Sequence, residues 1–156
     1  MAFLGRNRQQ QDIPRVEAYA GTVEQILAQI GIDPTQARMA MNDGFGWSFK
    51  RGSALIEIYV NQKETGGYLQ VLSPIIQLPM TGLLPFYRRL LEINLQLTNA
   101  ALGIYLDTVF LFVERPLDGL DPVETDQIIN NISSYADELD DKLVSEFGGR
   151  LYQRIS

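Results

Sequence analysis

The chain has 156 residues, no cysteine, no histidine and a formal net charge of −6. This length suits one domain with room for a hydrophobic core. The two missing residue types exclude disulfides, thiol nucleophiles, Cys/His zinc sites and imidazole catalysis. An acidic chain repels phosphate backbones, so we expect no nucleic-acid partner. Because the sequence shows neither a signal peptide nor an apolar run long enough for a membrane span, we expect a cytoplasmic protein without a membrane partner.

The composition along the chain predicts one domain between two tails. Residues 1–15 are polar and rich in glutamine, which is typical of a disordered segment. Residues 16–150 carry the periodic apolar patterns of a single folded unit, and residues 151–156 form a second tail. The first helix is expected over residues 16–32, since Gly31 and Pro34 provide a stop.

A three-stranded meander is predicted next. Its strands are Trp47–Arg51, Ala54–Asn61 and Tyr68–Leu72, with a break at Pro74 before Ile75–Leu78. Alternation in the second strand separates two faces. The expected core face carries Ala54, Ile56, Ile58 and Val60, and the opposite face carries Leu55, Glu57, Tyr59 and Asn61.

Residues 83–100 predict a helix with two apolar stripes. The stripes are Leu84, Tyr87, Leu91 and Leu95, and Phe86, Leu90, Ile93 and Leu97. Together they span an arc of about 220°, whereas a helix lying on one sheet needs only about 100°. The surplus must be buried against another helix or a second copy of the protein. Asn94 and Thr98 lie within this arc and need polar partners, which favours a specific helix pairing.

The second half predicts a hairpin and a long helix. We expect two strands, residues 102–106 and 109–113, on either side of Asp107 and Thr108. The second strand is apolar on both faces, as expected for a strand covered on both sides. Asp121, Pro122 and Glu124 are typical of a helix start, and the helix should run to about Phe147.

No catalytic, cofactor-binding or metal-binding residues can be assigned from the sequence. Asp137, Glu138, Asp140 and Asp141 lie on one continuous helix, which favours a solvated face over a cation site. The glycine pairs at residues 44–46 and 66–67 lack the spacing of a phosphate loop and are interpreted as turns. If helices cover one sheet face only, the other face exposes aromatic side chains, which is typical of a binding surface. The residues we expect there are Trp47, Leu55, Tyr59 and Tyr68.

The predicted order is helix, three strands, helix, two strands, helix. With the segments Leu90–Asn94, Leu102–Asp107 and Arg115–Asp121, this order resembles the type III secretion chaperone-like superfamily and, within it, the YbjN-type proteins. The resemblance implies an α+β domain whose antiparallel sheet carries helices mainly on one face. It also implies a homodimer paired through the middle helix and the following strand. In the chaperone branch, a non-enzymatic dimer holds an extended segment of a client protein on its surface.

The first hypothesis is therefore a non-enzymatic homodimer, chaperone-like or adaptor-like, that binds another protein and needs no cofactor. Its self-pairing surface would comprise Tyr87, Leu91, Asn94, Leu95 and Thr98, and its partner surface Trp47, Leu55, Tyr59 and Tyr68. A regulatory domain sensing a small molecule would instead require a closed apolar pocket with a few polar groups. A hydrolase using carboxylates alone would require a pair of perturbed acids in a cleft.

Overall fold

The computed structural model describes the backbone of residues 9–152 and the side chains of residues 15–152. It confirms an α+β fold with the predicted order of principal elements. The helices are α1 Gln9–Gln29, α2 Pro34–Ala37, α3 Leu83–Asn94 and α4 Pro122–Phe147. The strands are β1 Phe45–Arg51, β2 Ala54–Lys63, β3 Gly66–Gln77, β4 Ala101–Tyr105 and β5 Thr108–Pro116.

The five strands form one antiparallel sheet in the order β1-β2-β3-β5-β4. Helices α1 and α4 contact the central strands, and α3 contacts β4 at the edge of the sheet. Among the described residues, each helix is too short or too polar to cross a lipid bilayer.

The alternation predicted for β2 is confirmed. Ala54, Ile56, Ile58 and Val60 are buried, while the residues between them are half-buried. Cross-strand pairing extends the core face to Trp47 and Phe49 of β1 and to Leu69 and Val71 of β3. We call the opposite side of the sheet the outer face.

The ends of the chain differ from the predicted tails. Helix α1 already includes Gln9, seven residues before the predicted start at residue 16, and glutamine has a good helix propensity. Residues 150–152 pair with the end of β3 through the Gln77 N–H to the Arg150 carbonyl (3.0 Å) and the Tyr152 N–H to the Ile75 carbonyl (3.1 Å). The predicted disorder of residues 1–8 and 153–156 lies outside the described residues.

Strand β3 continues through Pro74, where the sequence predicted a break. Pairing with β2 ends at Leu72, and the register with β5 shifts between Pro74 and Ile76. The missing proline N–H is therefore tolerated at an irregularity in the ladder. In the β4–β5 hairpin, Leu106 and Asp107 both have positive φ angles, of 43° and 54°. These values suit a two-residue type I′ turn, so the turn lies one residue earlier than predicted.

Asn94 ends α3 and holds the start of β4. Its side-chain oxygen accepts from the Leu102 N–H at 2.7 Å, and its amide nitrogen donates to the Leu102 carbonyl at 3.2 Å. One side chain thus satisfies both backbone groups of an edge-strand residue. The helix stops six residues before the predicted Ala100, and the polar partner sought for Asn94 lies within its own chain.

The acidic cluster on α4 is only partly the solvated face that the sequence predicted. Asp140 is buried and accepts from the Ser53 hydroxyl at 2.6 Å, while Asp137 accepts from the Ser53 N–H at 3.1 Å. The two carboxylates hold the β1–β2 turn against α4. Gly52 in this turn has a φ of +60°, and a Cβ there would come within 2.2 Å of an Asp137 oxygen. Glycine is therefore required at this position.

Replacing Asn94 by alanine would leave the Leu102 N–H and carbonyl unpaired. We expect Asn94→Ala to reduce the free energy of unfolding by about 1–3 kcal/mol, measured by urea denaturation. The exposed neighbouring substitution Gln96→Ala serves as the control and should cost less than about 0.5 kcal/mol. Equal stability of the two variants would show that the Asn94 bonds do not hold β4.

Burial raises the pKa of Asp140 above its ordinary value of 3.8, although the hydrogen bond from Ser53 opposes this. The fold thus favours the protonated carboxyl, so the contribution of Asp140 to stability is largest at low pH and falls as the pH rises through its folded pKa. We expect Asp140→Asn to unfold at a higher temperature than the wild type at neutral pH, with the difference shrinking towards pH 4. Thermal unfolding followed by circular dichroism, with the exposed Glu138→Gln as control, would contradict this if the difference did not depend on pH.

Candidate interaction surfaces

The two apolar stripes of α3 have opposite environments. Phe86, Leu90 and Ile93 are buried, and the Phe86 ring lies edge-on to Phe147 with centroids 5.1 Å apart. On the other stripe, Leu84, Leu91 and Leu95 are 80%, 68% and 89% exposed. We call these three residues the α3 stripe. The chain thus covers one side of the helix and leaves a row of leucines uncovered.

The polar arc of α3 is tied to neighbouring groups by ion pairs. Arg88 Nε lies 2.9 Å from Glu92 on the same helix, and Arg89 Nε lies 3.0 Å from Glu146 of α4. The hydrogen bond that Arg89 donates to Glu146 raises the pKa of Arg89 further above its ordinary value. Of the two pairs, Arg89–Glu146 joins α3 to α4, whereas Arg88–Glu92 lies within the helix.

The five residues predicted for self-pairing occupy different surroundings. Leu91 and Leu95 are exposed, and Tyr87 is half-buried beside them. Asn94 is bonded to Leu102, as described above. Thr98 lies in the exposed segment after α3, where its backbone N–H donates to the Tyr135 hydroxyl at 3.3 Å.

Three of the four residues predicted for the partner surface lie on the outer face. Register places Tyr59 beside Gln70, and Tyr68 beside Asn61, while Leu55 pairs with Lys50 of β1. All three predicted side chains are half-buried. The structure therefore brings Leu55, Tyr59 and Tyr68 to one side of the sheet.

The prediction for Trp47 was wrong. Trp47 pairs with Ile58, so it points to the core face, and it is fully buried. Its ring stacks on Phe45 with centroids 6.4 Å apart, and the Arg38 guanidinium lies 5.0 Å from it. Without the register of β1 against β2, the sequence alone could not decide which face an alternating strand turns inward.

One half of the outer face is a polar network centred on Glu114. The Lys63 ammonium lies 2.6 Å from its carboxylate, and the Gln70 amide also donates to it. The hydrogen bond from Lys63 lowers the pKa of Glu114, against the opposing effect of partial burial. Lys63 also lies 4.9 Å from the Tyr68 ring, whose hydroxyl bonds Thr65 at 2.8 Å. These contacts hold the side chains in the polar half of the outer face in defined positions.

The other half of the outer face holds an apolar hollow of about 280 Å³. Register places Leu72, Phe110 and Phe112 side by side across β3 and β5, and Gly103 of β4 pairs with Phe110. The absence of a side chain at Gly103 leaves space above β4, next to the exposed Tyr105. Phe112 itself is 40% exposed. This hollow can accept an apolar side chain of another molecule.

The prediction that residues 109–113 form a strand covered on both faces leaves no room for this hollow. The structure covers only the face of Val109 and Leu111. The available signal was a contradiction: a strand apolar on both sides in a sheet with helices on one side must leave one apolar side open.

The described residues contain no group of three or more acidic side chains able to hold a metal ion. A cleft of about 440 Å³ beside β5 has a mixed polar and apolar lining that includes Asn99, Ile128 and Asn131. The titration-shifted carboxyl of Asp140 lies beneath the β1–β2 turn, bonded to Ser53. Asp137 also accepts from Ser53, but neither of these two acids lines the 440 Å³ cleft.

Several solved structures share the fold. A chain in the crystal structure of the ExsC–ExsE complex superposes with a TM-score of 0.60 and 11% identity, covering 82% of this chain and 95% of that one. A chain in the structure of the HopA1–SchA chaperone–effector complex superposes with a TM-score of 0.59 and 8% identity, covering 83% and 98%. At these identities the likeness concerns the fold alone. No curated protein has a significantly similar sequence.

A family profile gives a closer assignment, since it matches residues 17–155, nearly the whole described domain. This match confirms the resemblance to type III secretion chaperones and YbjN-type proteins. The chain belongs to the family described as the T3SS (YopN, CesT) and YbjN peptide-binding chaperones 1.

Proposed function

We propose that the protein is a non-enzymatic, chaperone-like or adaptor domain that forms a homodimer through α3 and holds an extended segment of a partner protein on the outer face of its sheet. The observation that carries this proposal is that a single chain leaves two separate apolar surfaces open, the α3 stripe and the hollow around Phe112. Large exposed apolar side chains that cluster, rather than scatter, are typical of interaction surfaces.

The α3 stripe supports self-association. Leu84, Leu91 and Leu95 are spaced at seven and four residues, so they form one row along the helix. A helix with such a row pairs well with a copy of itself, because one patch then covers an identical patch around a twofold axis. Burying a leucine side chain contributes about 1.5–3 kcal/mol, so six leucines could stabilise a dimer.

The outer face supports the binding of an extended segment. Its apolar hollow lies beside the ordered polar network around Glu114, so the face can bind both apolar and polar side chains of a partner segment. An interface with an apolar centre and a polar surround is the usual arrangement for specific protein binding. The peptide-binding description of the family, and the chaperone–effector complex that contains one structural neighbour, agree with this assignment.

The small-molecule alternative has less support. It requires a closed apolar pocket, whereas the 280 Å³ hollow lies on the open sheet face and the 440 Å³ cleft opens to solvent along β5. A shallow apolar surface next to a polar network suits a peptide better than a small ligand.

Adding a charge to the α3 stripe should separate the subunits. We expect Leu91→Asp with Leu95→Asp to keep the fold, since both side chains are exposed in one chain, and to halve the mass measured by light scattering. Gln96→Asp adds a charge to an exposed position two residues after the end of the same helix and should leave the mass at twice 17.6 kDa. A folded double variant that keeps the dimer mass would exclude the α3 stripe as the pairing surface.

Peptide binding should depend on the apolar hollow. We would select peptides from a displayed random library on the wild-type protein and measure their affinities by fluorescence anisotropy. Phe112→Lys should weaken binding by about tenfold or more, because it places a charge where an apolar side chain docks. Val123→Lys makes the corresponding change at another exposed apolar residue, at the start of α4, and should have little effect. Equal affinities for the two variants would place the binding surface elsewhere.

A further inference from the structure

Strand β5 extends beyond its neighbour at the edge of the sheet. β4 pairs with residues 108–112 of β5, from Tyr105 opposite Thr108 to Ala101 opposite Phe112. The last four residues of β5, Val113 to Pro116, pair with β3 on one side and have no described strand on the other. We call these four residues the β5 overhang.

The backbone groups of Glu114 point towards this open side. The N–H of Leu117 donates to the Gly67 carbonyl next to β3, so by alternation residues 115 and 113 also face β3. On β4, Asn94 occupies both groups of Leu102, so Leu102 faces away from β5 and its neighbour Ala101 faces Phe112. Both observations indicate that the backbone N–H and carbonyl of Glu114 point away from β3. No described residue bonds either group.

Pro116, the other residue of the overhang that faces away from β3, has no backbone group free to pair with an added strand. Pro116 has no N–H, and its carbonyl accepts from the Arg115 guanidinium at 2.9 Å. Elsewhere the protein covers sheet edges with its own groups: Asn94 at Leu102, the Met39 N–H at the Gly46 carbonyl (2.8 Å) and residues 150–152 along β3. An unpaired outward N–H and carbonyl is a template for an added strand.

An open cleft of about 440 Å³ lies beside Glu114. Asn99, which lines the cleft, adopts a φ of +50°, and the N–H of the preceding Thr98 donates to the Tyr135 hydroxyl. Val113 and Ile128 supply apolar lining, and α4 adds amide groups. The polar residues that line the cleft are Asn99, Glu124, Gln127 and Asn131.

The charges around the overhang favour a neutral or basic ligand. Arg115 is paired with Glu124 at 2.8 Å and Glu114 with Lys63 at 2.6 Å, so the charges next to the overhang balance. Residues 107–156 together carry about −7, which adds a long-range attraction for positive segments.

We infer that the β5 overhang is a strand-addition site for an extended, neutral or basic peptide segment of a partner protein. One residue of the segment exchanges two backbone hydrogen bonds with Glu114 and turns its side chain to the outer face, and the residues on either side place small apolar side chains in the cleft over Val113 and Ile128. This inference rests on the proposed function and specifies where the partner segment enters.

The test uses a synthetic probe, the acetylated and amidated peptide Lys-Val-Thr-Val-Thr-Val-Lys, titrated into the ¹⁵N-labelled full chain. We expect the amide signals of Val113, Glu114 and Arg115 to shift, and a probe N-methylated at its central amide to bind at least about tenfold more weakly. In Glu114→Pro, the N–H is lost at a position that does not bond β3, whereas Glu114→Thr loses the same carboxylate but keeps the N–H. We expect about tenfold weaker binding to the proline variant than to the threonine variant.

Gln127→Trp fills the cleft without changing β5 and should also abolish binding. It tests the inference independently if Glu114→Pro does not fold. Equal binding by the proline and threonine variants, or a probe that shifts no amide of the overhang at millimolar concentration, would overturn the inference. Shifts confined to Leu72 and Phe110 would overturn it while leaving the outer face as the binding surface of the proposed function. Concentration-dependent shifts of Glu114 without any probe would mean that a second copy occupies the site, which also overturns it.

Discussion

The structure depends on a constraint within α3: the helix carries two apolar stripes, and the fold can cover only one. Phe86, Leu90 and Ile93 anchor the helix against β4 and α4, and the contact between Phe86 and Phe147 fixes its rotation. Leu84, Leu91 and Leu95 then face outward as a geometric consequence. The burial that holds α3 in place thus also creates the surface that we assign to self-association.

The sheet is likewise covered on one side only. Helices α1 and α4 pack on that side, and the apolar half of the outer face stays open. The protein also pairs several of its sheet edges with its own polar groups. At Leu102, the single side chain of Asn94 bonds both the N–H and the carbonyl. Closed edges restrict uncontrolled strand pairing, so that binding can be confined to defined places. This arrangement is suitable for a domain that holds extended segments of other proteins without aggregating.

Much of this architecture could be predicted from the sequence because its patterns are local. The alternation in β2, the cap at Asp121 and the two stripes of α3 each reflect a single period, and the structure confirms them. The errors concern long-range relations. The face of Trp47 depends on the register of β1 against β2, and the partners of Asn94 and Asp140 lie on other elements, at Leu102 and Ser53. For β5, the sequence showed two apolar faces but not that only one of them would be covered.

The central claim is that a second copy covers the α3 stripe, and the intermolecular distance between two α3 helices tests it directly. Because the sequence has no cysteine, Arg88→Cys offers one attachment point for a spin label on the exposed side of α3. Helices packed about 8–10 Å apart, each about 18 Å long, would place the two labels within about 40 Å, where double electron–electron resonance detects their coupling. A distance in this range, lost on dilution with unlabelled protein, is the predicted result. The absence of intermolecular coupling in a folded, concentrated sample would contradict the account.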